Sequence, residues 1–146
     1  MRIQEGKKTS SQIELLLHES FELLQGLKEK VSEITKNKIE KYRKRISKLI
    51  NGMEIEETRI NLEIGILADK SDVTEELSRS LSHISQFKQL MQLTEPVGKR
   101  LNFLTQELNR EINTLGVKIA DADSSKDVIN LKSKIEIIRE QIQNIL

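Results

Sequence analysis

The chain has no cysteine and no tryptophan, and only one proline and six glycines in 146 residues. Without cysteine there is no disulfide, no thiolate metal site and no cysteine nucleophile; a reducing, cytoplasmic setting is the expectation. The aromatic residues are four: Phe21, Tyr42, Phe87 and Phe103. Sandwiches and barrels draw on frequent turn residues and aromatic strands, so this composition argues against them and for long helices. No apolar run reaches the roughly 18 residues that mark a membrane-spanning helix. The first ten residues carry no apolar stretch of a secretory signal. A glycine-rich phosphate loop, HExxH and GxSxG are all absent from the sequence.

What is present is aliphatic. Leu, Ile and Val make up 43 of 146 residues, enough for one domain with a real core. From Ser10 or Ser11, a plausible N-cap, Ile13, Leu17, Phe21, Leu24, Leu27, Val31 and Ile34 recur at spacings of three and four, one apolar stripe on a helix. The stripe continues through Ile39, Ile46 and Ile50 to Asn51-Gly52, a strong turn signal. A helix of about 40 residues spans roughly 60 Å, so a break near Thr35–Asn37 or a coiled-coil-like hairpin is expected. A second helix is predicted over Glu56–Lys70, with Ile60, Ile64 and Leu67 inward. Asp72 opens a third, ending near Leu93, its carboxylate facing first-turn amides and Glu75 completing a capping box. Pro96 suits the first position of a fourth, striped by Val97, Leu101, Leu104, Leu108, Ile112 and Leu115. Ser124 or Ser125 caps the last, whose stripe is Val128, Leu131, Ile135, Ile138, Ile142 and Ile145. The fold expected is all-α, a long helical hairpin plus an antiparallel helical bundle. The first and last stripes look too long for one monomer to cover, which predicts self-association.

Charge is balanced overall at +1 but unevenly spread. Lys28–Lys48 holds nine Lys/Arg against three Glu, and Glu54–Glu76 holds two against eight acids. Such blocks are either helices complementing one another or a basic strip for a polyanion beside an acidic zone for a cation. His18 reads as a surface residue. Asp72, Glu76, Arg79 and His83 share one helical face, and Gln106, Arg110 and Asn113 share another in the helix after Pro96. Glu107, Arg110/Glu111, Thr114 and Lys118 fall beside the latter. The ordinary reading is a solvated face with short-range ion pairs, such as Glu107–Arg110 and Glu76–Arg79. Against it, the segment uses Arg, Asn, Gln and His rather than Lys and Glu, and two of its Asn are poor helix formers. Lys99-Arg100 could touch phosphate near a helix N-terminus, or simply be solvated.

The run Glu63-Ile64 … Leu67-Ala68-Asp69-Lys70-Ser71-Asp72-Val73-Thr74-Glu75-Glu76-Leu77 … Arg79 … Ser82-His83 … Gln86-Phe87 resembles the signature of the YicC/YloC family. So do Pro96-Val97-Gly98-Lys99-Arg100-Leu101-Asn102-Phe103-Leu104 … Gln106 through Gly116 … Lys118 and the ending Ile138–Ile145. The resemblance spans the chain and is dense after Glu63. It implies a helical C-terminal domain over 1–146, with the family's N-terminal half absent. It also implies a metal-dependent endoribonuclease that cuts single-stranded RNA and assembles as a homo-oligomer, a hexamer by resemblance. Asn102 stands where the family usually has Asp, so no metal role is carried to it; Ser80, Val117 and Leu146 also depart from the pattern.

Phosphodiester hydrolysis needs a nucleophile, neutralised phosphoryl oxygens and a stabilised leaving group, and a divalent ion can supply the first two. On the resemblance, Glu76, His83, Glu107 and Glu111 would hold Mn²⁺ or Mg²⁺. Glu76, His83, Glu107, Arg79 and Arg110 would be catalytic, the two arginines gripping the phosphate. Lys99, Arg100, Arg110 and Lys118 would bind RNA. The competing expectations are a non-catalytic helical adaptor that oligomerises and binds RNA, and a purely structural coiled-coil module.

Overall fold

The computed structural model describes residues 2–51, 56–119 and 121–145, with side chains described over 6–51, 56–119 and 121–144. Within them are five helices and no strand: α1 (Arg2–Leu49), α2 (Glu57–Ser71), α3 (Thr74–Met91), α4 (Gly98–Lys118) and α5 (Ala122–Ile145). The all-α hairpin-plus-bundle architecture is the one the stripes predict.

α1 is the spine. Its 48 residues run without a break, about 72 Å at 1.5 Å per residue. The expected break at Thr35–Asn37 is absent, because the hairpin alternative supplies partners along the whole length. α2 returns along the second half of α1, and α3 continues in the same direction along the first half. The step between them is short. Asp72 caps the end of α2, its N–H donating to the Asp69 carbonyl, and Val73 is the N-cap of α3. α4 then packs antiparallel on α3, and α5 antiparallel on α4 and α1, closing a four-helix bundle around the first half of α1. Lys134 of α5 reaches Glu19 of α1 at 2.7 Å, and Lys88 of α3 lies 5.0 Å from the Phe21 ring centre. α4 and α5 approach closely at Gly116, where a Cβ would sit 3.2 Å from Val128 Cγ1.

The predicted stripes form the core. Ile13, Leu17, Leu24 and Leu27 of α1, Leu101 through Leu115 of α4, and Val128, Leu131, Ile135, Ile138 and Ile142 of α5 are all buried. From Val128 to Ile142 the last stripe is thus covered within the chain, and that part gives no reason for assembly. Cover is thin on the outer hairpin, where Ile34, Ile39, Ile46 and Ile50 are half-buried and Leu49, Leu62 and Ile66 exposed.

Several helix starts differ from expectation. α1 begins at Arg2, ahead of Ser10 and Ser11, since nothing in the preceding residues breaks the helical geometry. α4 begins at Gly98 rather than Pro96, with Val97 as N-cap. α5 is capped by Asp121, whose Oδ2 accepts from the Ser124 N–H at 3.0 Å and hydroxyl at 2.9 Å, so Ser124 donates to the cap. Asn51 lies in the turn that closes α1; Gly52, Glu54 and Leu146 lie outside the described residues.

Candidate functional site

The chemistry-bearing residues of α3 and α4 meet along one seam. Because the two helices are antiparallel, side chains one turn apart on α3 face side chains one turn apart on α4. Lys118 Nζ donates to Glu76 Oε1 at 2.6 Å and to the Asp72 carbonyl at 3.3 Å. One turn on, Arg79 Nε meets Glu111 Oε1 at 3.1 Å while its Nη1 holds Glu75 Oε1 at 2.9 Å. Continued, this register sets the turn of His83 opposite that of Glu107, and Glu107 meets Arg110 at 3.8 Å.

The ladder is buried at its carboxylates and open at its arginines. Glu76 is 3% exposed and Glu111 7%, whereas the side chain of Arg110 is 75% exposed. Carboxylates are tolerated at such depth only when cations or hydrogen bonds meet them. The seam is also incompletely satisfied. Glu76 Oε2, Ser80 Oγ and His83 Nδ1 on α3, and Asn102 Oδ1 on α4, are sealed from solvent without a hydrogen-bond partner. Buried polar atoms are nearly always paired, so several orphans on one helix pair set this seam apart from the rest of the core.

Asp72 anchors the end of the ladder. Its Oδ1 accepts from the Thr74 N–H at 2.9 Å and the Thr74 hydroxyl at 2.6 Å. Those two bonds, the hydroxyl first, hold its carboxyl below the ordinary value, with Lys118 adding a smaller pull. Glu75 does not complete the expected capping box; it pairs with Arg79.

The four residues expected to bind a metal are strung along the seam rather than gathered. Lys118 engages Glu76, and Arg79 engages Glu111. Among the described residues, no group of three or more His, Asp or Glu is placed to hold a metal ion. As placed in one chain, Glu76, His83, Glu107 and Glu111 do not fit a divalent ion. Of the cations expected to bind RNA, Lys118 is committed to Glu76. Arg110 is open to solvent. Lys99 and Arg100 are exposed in the first turn of α4, toward the other end of the seam. His18 lies on the surface beside Glu22 at 3.2 Å, as its isolation in sequence suggests. Sequence reasoning missed Lys118 as the partner of Glu76, because a pair 42 positions apart leaves no local spacing signal.

The family model for the C-terminal part of YicC-like endoribonucleases matches residues 27–146. The chain belongs to this family. It is 40% identical to a Clostridioides difficile protein named "Probable endoribonuclease YicC", over 99% of this chain and 50% of that protein. A Haemophilus influenzae protein of the same name is 40% identical over 64% of this chain and 32% of its own length. The chain therefore spans about half the length, or less, of the curated relatives it matches. The family match covers α2 through α5 and the later part of α1, so the whole α3–α4 seam lies inside it. No helix among the described residues is long and apolar enough to cross a membrane.

Proposed function

We propose that this chain is the helical portion of an endoribonuclease that cleaves single-stranded RNA, with the α3–α4 seam as its working surface. The observation that carries this reading is the ladder itself: two arginines and an unpartnered histidine Nδ1 on one helix pair, in a chain of a family named for endoribonuclease activity. In-line cleavage of a phosphodiester needs a proton acceptor for the attacking oxygen, cations at the non-bridging oxygens and a proton for the leaving oxygen. Arg79 and Arg110 supply planar, permanently charged donors matched to a phosphate. His83 supplies the imidazole of the seam, the side-chain type most often used to give and take a proton. Glu107, on the facing turn of α4, is the carboxylate we assign to orient it. Glu76 and Glu111 position the cations rather than touch the substrate.

A second reading, an RNA-binding adaptor that oligomerises without cutting, is favoured by one observation: both buried carboxylates are already neutralised by cations within the chain. Incubation of end-labelled single-stranded RNA with the chain in Mn²⁺, in Mg²⁺ and in excess chelator separates the two. Cleavage supports the first reading, and binding without cleavage the second. Cleavage lost with chelator would mean that an ion draws the donors together by displacing Lys118 or Arg79. Cleavage that survives chelator would assign the chemistry to the side chains alone.

A further inference from the structure

At the Pro96 end of the same helix pair, an open groove of about 620 Å³ lies between the last turns of α3 and the first turns of α4. It falls in the range of small-ligand sites, roughly 300–1,000 Å³. Its floor is apolar and wet: Phe103 is 59% exposed and Leu93 45%. Phe103 lies off the inward stripe of Leu101, Leu104 and Leu108, so the core does not account for it. The polar residues of the lining are Gln86, Gln89, Lys99 and Arg100, and no carboxylate is among them. Among the described residues neither Lys99 nor Arg100 makes an ion pair. The first turn of α4 carries no acidic residue, and its N-cap makes no side-chain bond, which leaves first-turn amides without a side-chain acceptor.

We propose that this groove holds one nucleotide of single-stranded RNA, its base stacked on Phe103 and its phosphate at Lys99 and Arg100. Gln86 and Gln89 offer amide donors and acceptors to the edge of the base. An exposed aromatic beside unpaired cations is the combination that binds single strands with little sequence preference, since every base presents a π-face and every nucleotide a charge. The proposal rests on the RNA reading above and adds to it a path. On α4, Phe103, Glu107 and Arg110 follow one another at four and three residues; on α3, His83 and Gln86 are three apart. A strand anchored in the groove is thereby directed along the seam toward His83.

Binding of a fluorescein-labelled single-stranded RNA, read by anisotropy, tests it. Phe103→Leu keeps the bulk but removes the ring. It is expected to weaken binding about 5- to 150-fold, the range of one lost base stack, while Phe103→Tyr retains wild-type affinity. An abasic residue scanned through the RNA should erase the difference between wild type and Phe103→Leu at one position. Because the chain has no tryptophan, Phe103→Trp places the one indole of the chain in the groove, and RNA should quench its emission. Equal RNA affinity of wild type and Phe103→Leu overturns the proposal, and leaves the RNA reading standing if the wild type still cuts. A wild type that binds no RNA overturns both. A changed molar mass for Phe103→Leu with unchanged RNA affinity would assign the groove to contact between copies of the chain, and would also overturn it.

Discussion

The Lys118–Glu76 pair makes an asymmetric prediction about stability. Glu76 is 3% exposed, while the Lys118 side chain is 30% exposed. Lys118→Ala abandons a carboxylate that cannot reach water, with Glu76 Oε2 already unpartnered. Removing one partner of a buried pair costs about 3–5 kcal/mol. Glu76→Ala abandons an ammonium on a flexible stem that can turn to solvent, so its cost falls well below that range apart from a small cavity. For a chain of this size 1 kcal/mol moves the melting temperature by roughly 2–4 °C. Lys118→Ala should therefore melt roughly 6–20 °C below wild type, and Glu76→Ala distinctly higher than Lys118→Ala. The double variant Lys118→Met/Glu76→Leu should recover most of the loss, since apolar replacement of both charges removes the desolvation penalty. Calorimetry at pH 7 on the four proteins checks it. Equal losses for the two single variants, or no recovery in the double, would refute the reasoning that burial of Glu76 sets the cost.

Ser80→Ala removes a fully buried, unpartnered hydroxyl and substitutes a better helix former, so it should stabilise the chain by about 1 kcal/mol in denaturant titration. The amide and then the hydroxyl of Ser124 hold the Asp121 carboxyl below its ordinary value of 3.8. A lowered carboxyl stabilises the fold above its ordinary value and loses that effect as pH falls through the lowered one. The melting difference between wild type and Asp121→Ala, present at pH 6, should hence close below about pH 4, as read by circular dichroism. Leu49, Leu62 and Ile66 on the outer hairpin should drive self-association, so light scattering should give a mass above 16.8 kDa, and Leu62→Glu/Ile66→Glu should lower it.

The stripes made the fold legible. Val128, Leu131, Ile135, Ile138 and Ile142 alternate at three and four, and all are buried where that period puts them. Helix ends were less legible, because Ser, Asp and Pro each signal a start, and tertiary packing selects among them: Asp121 rather than Ser124, Val97 rather than Pro96. The seam was legible as two polar faces on consecutive helices. Which residue meets which was not, since Lys118–Glu76 and Arg79–Glu111 depend on the antiparallel register, and helical spacing within one element says nothing about it. The groove at Phe103 left only a faint sign, one aromatic outside the stripe of α4. The basic block of α1, Lys28–Lys48, was legible beneath a net charge of +1, but its partner was not. Among the described residues no ion pair joins that block to the acidic face of α2.

The central claim is that the α3–α4 seam cleaves RNA, and the most direct test is the single-turnover rate of single-stranded RNA cleavage by wild type and His83→Ala at matched helicity and mass. The account predicts a loss of about 10²–10⁴-fold, the usual contribution of a positioned proton-transfer group, with RNA affinity changed little because Arg110, Lys99 and Arg100 remain. Cleavage by His83→Ala at the wild-type rate would contradict it, and the polar seam would then be a structural network between two helices.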